Sequence, residues 1–480
     1  MGSSKWFQRG VGLFVMLAVL AAAGIFAFVI AASEPPRFWH PAEATVAGIW
    51  TVLYDAQPPS TTVLLIAVAV ALLLVAAITL TERIVTNRYR RADPSVAATR
   101  PLSPRALMER TRGVFLGEVT VTVLIPAHNE EGSLPLALDS LQRQTRRPDR
   151  VIVVADNCTD DTAGVALRAG AEVLETVDNA LKKAGGLNQA LRLLLPGLGH
   201  NDTVMVMDAD TLLGERFLET AVRRFTDDRA LAAVGGLFHG EEGHGLIGQF
   251  QRDEYTRYQR QIERRGGRLF VLTGTASVFR APALAAVAEA RGRQLPGVPG
   301  DVYDTIALTE DNELTIALKS LGALMTSPRE CTVVTELMPT WRMLWAQRLR
   351  WQRGALENLG AYGVTPVTVR YWAQQLGIAY SAIALASYFA LMLLMILAMD
   401  SWVWFPFWLG IGALFAFERL VTVWRGGVRA RLLAVLILPE LCYACFLNVV
   451  FVKGVIDITL GRQGAWKHVE HAGSSRAEAR

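Results

Sequence analysis

TVTVLIPAHNE, residues 120–130, decides the fold. Its β-branched, apolar run ending in Pro-Ala-His-Asn reads as a buried strand running into a loop. Working outward, SLPLALDSLQRQ (133–144) has helical spacing and RVIVVADN (150–157) is a second strand. TAGVALRAG (162–170) is a helix, AEVLET (171–176) a strand, GGLNQALRLLL (185–195) a helix and TVMVMDAD (203–210) a fourth strand. That βαβαβαβ order predicts an α/β domain with a doubly wound, mainly parallel sheet. Ligands of such sheets bind beyond the carboxyl ends of the strands, where AHNE, ADNCTDD and DAD all fall.

Beyond this core the composition changes. Of the 480 residues 52% are hydrophobic, unusual for a fully water-soluble chain, and the apolar residues gather at the two ends. Residues 10–32 and 61–80 are each long enough to cross the roughly 30 Å hydrocarbon core as helices. A signal peptide is the rival reading of the first, but its apolar core exceeds the usual run of about 7–15 residues. The intervening loop carries Glu34, Glu43 and Asp55 against one arginine, whereas Arg83, Arg88, Arg90 and Arg91 follow the second span. By the positive-inside rule the loop lies outside and the middle of the chain in the cytoplasm. Three more apolar stretches, 376–398, 402–420 and 431–452, follow. Five spans strand the C-terminus outside, against its Lys453, Arg462, Lys467 and Arg476; Pro439 and Glu440 break the last stretch, leaving a kinked or re-entrant segment open.

The expected organisation is two transmembrane helices in 1–92, a cytoplasmic domain in 93–335, amphipathic interface helices in 336–375, C-terminal transmembrane helices in 376–460 and a polar tail in 461–480. Localisation is then a multi-pass plasma-membrane protein with lipid as a partner. The net charge of +4 does not call for nucleic acid, because basic clusters such as Arg425, Arg429 and Arg431 stand where apolar segments stop. Cys158, Cys331, Cys442 and Cys445 form neither a disulfide framework nor a zinc spacing.

Asp208 and Asp210 close an apolar strand, and two carboxylates one residue apart suit a hard divalent cation, Mg²⁺ or Mn²⁺, bridging to a diphosphate. A plain strand-end turn reads equally from Asp-x-Asp alone. TEDNEL (309–314) reads as an N-capping box, Thr309 as cap with three acids in the first turn. WRMLWAQRLRWQRGALENL (341–359) is amphipathic, suited to a membrane surface with its tryptophans toward lipid headgroups. His239 and His244 in GGLFHGEEGHG have no third ligand, and the glycine-rich flanks suggest a loop.

Taken in order, Asp156, Asp208 with Asp210, Thr309-Glu310-Asp311 and Gln347-Arg348-Leu349-Arg350-Trp351 resemble the signature of the processive, membrane-bound family-2 glycosyltransferases, the cellulose, hyaluronan and poly-N-acetylglucosamine synthases. The resemblance covers nearly the whole chain. It implies a GT-A-like domain between transmembrane helices, a nucleotide-sugar donor of the UDP type, and inversion at the anomeric carbon with Asp311 as catalytic base. Neighbouring acids such as Glu310 and Asp208 are expected to raise the pKa of that base. By the same resemblance Asp156 meets the donor base and Arg350 the diphosphate, for which its planar fork is suited. Trp351 with Gln347 and Glu310 meets the acceptor sugar, and Thr273 and Gly274 in TGTASVFR form the acceptor-side loop, with QRDEYTRYQR (251–260) before it. In KKAGGLNQAL (182–191) Lys183 is expected at phosphate oxygens, with Gly185 and Gly186 allowing close backbone approach; a solvated lysine pair before a helix is the alternative.

Two departures stand out. Ala155 occupies the place of a second aspartate found in some relatives, and no Phe-x-Val-Thr loop follows the Arg-Trp pair, which makes cellulose a less attractive product. The expected activity is metal-dependent sugar transfer building a polysaccharide, with a growing glycan as acceptor and Glu440 as a candidate lining group of an exit path. A non-processive enzyme acting on a lipid-linked acceptor is the alternative; a transporter or sensor with a degenerate domain is disfavoured by the intact Asp210 and Asp311. Sequence leaves the sugar, the linkage and any protein partner open.

Overall fold

The computed structural model describes residues 117–265, 267, 269–397, 416, 417 and 419–462, the strands Ala42–Val46 and Trp50–Tyr54, and isolated helical positions 62, 66, 69 and 73. Two compact units emerge: residues 1–93 with 384–415, and residues 94–383 with 416–480. In the first, Ala42–Val46 and Trp50–Tyr54 pair antiparallel, a hairpin in the loop expected between the first two spans. The expected spans 10–32 and 402–420 lie outside the described residues, apart from helical positions at 416, 417, 419 and 420. So does 61–80, apart from its four helical positions.

The second unit is built on β1, Thr120–Ala127. It pairs in parallel with β2, Arg150–Ala155, and with β4, Asp202–Met207, while β3, Glu172–Glu175, extends the edge beyond β2. Side chains of β1 alternate between two covered faces: Leu124 packs with one apolar cluster, Val121, Val123 and Ile125 with the other. A strand covered on both faces needs this continuous apolar run. Helices α1 (Leu134–Gln142), α2 (Thr162–Arg168) and α3 (Lys182–Leu194) return the chain between these strands. Leu134, Ala137 and Ala166 pack on one face of the sheet, Leu187 and Leu191 on the other.

After a two-residue β5 (Leu212–Leu213) and α4 (Phe217–Asp227), the topology leaves the simple alternation. The sheet gains β6 (Leu231–Gly235), β8 (Ala276–Arg280) and β9 (Leu324–Thr326), in the seven-stranded order β9-β6-β8-β4-β1-β2-β3. β8 runs antiparallel to both neighbours, with Ala276 opposite Met207. The loop entering β8 therefore arrives at the edge where β4 ends, and the Asp208 amide donates to the Thr275 carbonyl at 2.9 Å. β7 (Leu237–Gly240) and β10 (Thr332–Thr335) join β5 in a small second sheet.

Helix α5, Gly245–Arg264, contains QRDEYTRYQR and links the sheet to the C-terminal helices. α6 (Ala281–Ala290) and α7 (Glu310–Ser320) cover the sheet; α8 (Trp341–Tyr362) and α9 (Val369–Leu397) follow. The apolar stretch expected at 431–452 is not one helix. It divides into α10 (Gly427–Val435) and α11 (Leu438–Thr459), separated at Ile437, whose φ of 52° ends a helix, with Pro439 in the first turn of the next. Among the described residues α11 is the one helix long and apolar enough to cross a bilayer, by length and composition.

The rings of Trp341 and Trp345 on α8 meet Phe446 of α11 at 5.2 and 5.8 Å, while Trp341 stays 46% exposed. Glu440, expected as a candidate lining group of an exit path, is buried among the described residues. It is 3% exposed, and its carboxylate is held by Arg257 of α5 at 2.5 Å, with Arg419 at 3.9 Å. A buried carboxylate needs such partners.

Candidate active site

The carboxyl edge of the sheet gathers most of the residues singled out above. Asp208 follows β4, and its Oδ1 accepts from Lys183 Nζ at 2.6 Å; the same ammonium lies 3.1 Å from Glu310 Oε1, the first residue of α7. Lys183 reaches them because α3 starts at the edge, with Lys182 in the left-handed region at φ 56°. Burial opposes the charge on Lys183, but Asp208 and Glu310 outweigh it and raise its pKa. Burial likewise acts upward on Glu310, and the Lys183 ammonium, a backbone hydrogen bond and Arg350 bring its pKa below the usual carboxylate range. Glu310, expected on the acceptor side, is thus paired with Lys183, expected at the donor phosphates.

Asp311 faces the same cavity, which is lined by Lys183, Thr273, Gly274, Tyr303, Glu310 and Asp311. Its Oδ2 accepts from the Gly274 amide at 3.1 Å and its Oδ1 from the Asn312 amide at 2.7 Å. A Cβ on Gly274 would lie 3.1 Å from Asp311 Oδ2, so the loop needs glycine to come this close. Desolvation, then the charge of Glu310, pushes the Asp311 carboxyl up to about 6. Burial leads, with Glu310 next among the neighbouring charges, while Asp208 is paired with Lys183.

The N-terminus of α7 also departs from the capping-box reading. Thr309 is the N-cap by backbone conformation, yet its side chain makes no cap hydrogen bond. Instead Asn358 Nδ2 of α8 donates to the Thr309 carbonyl and hydroxyl, each at 3.2 Å, and to Asn312 Oδ1 at 3.3 Å. Gly354, one turn earlier on α8, lies so close that a Cβ there would be 2.5 Å from Thr309 Oγ1. Arg350, Gly354 and Asn358 are spaced by four and share a helix face, and the Arg350 charge acts on both Glu310 and Asp311. Gly354→Ala is therefore expected to cost about 1–3 kcal/mol by overpacking, seen as a lowered thermal midpoint in detergent. Thr309→Ala in the same chain, which removes the two closest atoms, should recover part of the loss.

Other residues fall away from the cavity. Asp156 follows β2, two strand spacings or about 10 Å across the edge from β4; its Oδ1 accepts from Thr176 Oγ1 at 2.7 Å, Asn179 Nδ2 at 2.8 Å and Asn157 Nδ2 at 3.1 Å. Gly185 and Gly186 do not open space for a phosphate: a Cβ on them would meet Asn179 Oδ1 at 2.1 Å and Thr176 Cγ2 at 3.3 Å, the very residues that hold Asp156. Gln347 Oε1 accepts from Arg348 Nη1 at 2.5 Å, and the Arg348 guanidinium sits 4.3 Å over the Trp351 ring. Arg348 is buried and pairs with Glu254 of α5 at 3.0 Å, whose Oε2 also accepts from Tyr443 of α11 at 2.7 Å.

Asp210 Oδ1 accepts from Thr211 at 3.2 Å. Among the described residues no group of three or more His, Cys, Asp or Glu is placed to hold a metal. Asp208 and Asp210 still fit one as hard oxygen donors that leave coordination positions for a diphosphate and water. His244 is engaged with Glu241 at 2.9 Å. Sequence reasoning passed over Tyr303, Gly354 and Asn358. A helix-interior glycine, costly at about 1 kcal/mol relative to alanine, was the one signal available for Gly354.

A doubly wound sheet whose carboxyl edge carries acids on three elements beside a lysine defines the chain as an α/β enzyme of the ligand-at-the-edge kind. Residues 122–287 match the model of Glycosyl transferase family 2, and the chain carries a glycosyltransferase domain of that family. It is 28% identical over 249 residues to the probable glycosyltransferase YdaM of Bacillus subtilis, covering 49% of this chain and 54% of that protein. It is 24% identical over 246 residues to poly-beta-1,6-N-acetyl-D-glucosamine synthase of Staphylococcus aureus, covering 50% and 55%. The chain thus spans about half the length of the curated relatives it matches. Among solved structures it is similar to a mannosyltransferase of Pyrobaculum calidifontis in complex with GDP-Man and Mn²⁺, at 17% identity and TM-score 0.48 over 80% of this chain and 99% of that one.

Proposed function

We propose that this protein is an inverting, divalent-metal-dependent membrane glycosyltransferase that moves a sugar from a nucleotide-sugar donor, of the UDP type, onto a growing polysaccharide. The observation that carries the reading is the Asp311 carboxylate, fixed by two backbone amides in a cavity it shares with Lys183. The donor lies along the carboxyl edge, its base toward Asp156 and its diphosphate toward Lys183, Asp208, Asp210 and Arg350. An acceptor hydroxyl gives its proton to Asp311 while its oxygen bonds to the anomeric carbon, and the bond from that carbon to the diphosphate breaks. A carboxyl held near 6 is ionised at neutral pH yet basic enough to take the proton. Lys183 and Arg350 offset the charge that grows on the leaving diphosphate. When bound at Asp208 and Asp210, Mg²⁺ or Mn²⁺ supplies further neutralisation of that diphosphate.

The acceptor side begins at Thr273 and Gly274 on the cavity, and the acceptor extends from there toward Gln347 and Trp351 on α8. Polymerisation rests on the likeness to the processive synthases of the Gln-Arg-Leu-Arg-Trp segment of α8, whose Arg350 acts on Asp311 by its charge. Membrane insertion, with the domain in the cytoplasm, rests on the apolar length of α11, on the 29 residues of α9 and on the apolar sequences at 10–32 and 61–80. The test is product size from protein in nanodiscs, over a panel of UDP-sugars with Mg²⁺ or Mn²⁺. One donor is expected to give a high-molecular-weight polymer. A single sugar added only when polyprenyl phosphate is supplied would move the assignment to a non-processive lipid-linked transferase.

A further inference from the structure

We infer that Tyr303 is a donor-sugar contact: its phenol hydroxyl binds a hydroxyl of the hexose on the nucleotide sugar and thereby helps select which sugar is transferred. The inference rests on the donor-site reading above. Tyr303 is 4% exposed and lines the cavity with Lys183, Glu310 and Asp311.

Its backbone is held on both sides. Asn188 of α3 accepts from the Val302 and Tyr303 amides at 3.1 and 2.9 Å and donates to the Tyr303 carbonyl at 2.9 Å. The preceding carbonyl, that of Val302, accepts from Arg291 at 2.6 Å, and Arg291 forms a two-pronged pair with Glu313 of α7 at 2.5 and 2.7 Å, all within the core. A segment anchored by a buried ion pair and three side-chain bonds gives a rigid side chain.

The side chain borders the cavity beside Lys183, Glu310 and Asp311, and a phenol hydroxyl can both donate to and accept from a ligand hydroxyl. The position selects the part of the ligand. The hydroxyl is within electrostatic reach of Lys183, Glu310 and Asp311. A diphosphate at Lys183 and an attacking oxygen at Asp311 leave the transferred sugar between them. A hexose presents hydroxyls there, and a single phenol that donates or accepts distinguishes their orientation.

The experiment compares Tyr303→Phe with the unaltered protein by calorimetry, titrating the nucleotide sugar that is turned over and, separately, its free nucleoside diphosphate, both with Mg²⁺. Loss of one neutral hydrogen bond predicts a Kd for the nucleotide sugar weaker by up to about 10-fold, with the free diphosphate unchanged and the thermal midpoint held or raised. Discrimination between the true donor and its C4 or C2 epimer should fall by a similar factor. Asn188→Ala should weaken sugar binding as well, but with a lowered midpoint. Equal binding of the nucleotide sugar by Tyr303→Phe and the unaltered protein would overturn the inference alone. Equal weakening toward sugar and free diphosphate would overturn it too, by placing the hydroxyl on phosphate. An unaltered protein that binds no nucleotide sugar would instead overturn the donor-site reading, and this inference with it.

Discussion

Asp311→Asn should remove sugar transfer almost wholly while leaving the fold intact and donor binding close to normal. Asparagine keeps the shape, but its single amide oxygen can accept from only one of the Gly274 and Asn312 amides, and it cannot take a proton. General-base catalysis contributes about 10²–10⁴-fold, so a fall of that size in kcat is expected at pH 7.5. The unaltered enzyme should lose activity tenfold per pH unit below about 6, the acid limb set by this carboxyl. Stability should move the other way. A carboxyl raised from about 3.9 unfolded to about 6 folded is neutral in both states at low pH and costs the fold nothing there. The cost appears as pH rises through that interval and is complete above it. Asp311→Asn is thus expected to raise the thermal midpoint at pH 7.5 and to leave it unchanged at pH 3.5, which paired melts at the two pH values would check. Activity retained by Asp311→Asn would remove Asp311 as the base.

Lys183→Ala carries the opposite signature, with activity and stability falling together. It strips the shared cation from Asp208 and Glu310, whose side chains are 29% and 17% exposed. Breaking a fully buried pair costs about 3–5 kcal/mol; the exposure of this cluster reduces the figure to roughly 2–3 kcal/mol. The raised pKa of Lys183 means its contribution is complete below its unfolded value of about 10.4 and is lost as pH climbs through the folded value. The lowered pKa of Glu310 means its share is present above about 4.3 and lost in acid. The stability deficit of Lys183→Ala should therefore span the neutral range and shrink at both ends. Removing a charged contact to the leaving diphosphate should also cost about 10–100-fold in kcat/KM. Because Lys183 holds down the pKa of Asp311, the acid limb of the rate profile should shift upward in the variant. Adding Glu310→Gln should restore much of the midpoint and little of the rate; restoration of both would make Lys183 a structural residue only.

The sheet from β1 to β4 was legible because parallel strands buried on both faces must be continuously apolar and their helices amphipathic, as TVTVLIPA and TVMVM are. The far side was not. β6 and β7 are the short segments LAAVG and LFHG, and the antiparallel entry of β8 follows from tertiary pairing that no local period encodes. In the site, strand-end acids announced themselves by position, and Asp208, Glu310, Asp311, Lys183 and Gly274 do converge. Tyr303 could not be seen, since it follows a loop whose shape is set by Arg291 reaching Glu313, 22 residues away in sequence. Glu440 misled for a related reason: an acid in an apolar stretch signals a polar path only when its partner is unknown, and Arg257 lies 183 residues away.

The joint between Gly354, Asn358 and Thr309 distributes support unevenly along the chain. The surroundings of Asp156 close on themselves locally, through contacts with Thr176 and Asn179 within a span of 23 residues. The N-terminus of α7 is steadied instead from 49 residues downstream, by a helix that is itself tied to α11. A substitution beside Asp156 can therefore be absorbed by near neighbours, whereas one at Thr309 or Gly354 has to be accommodated in α7, α8 and α11 at once.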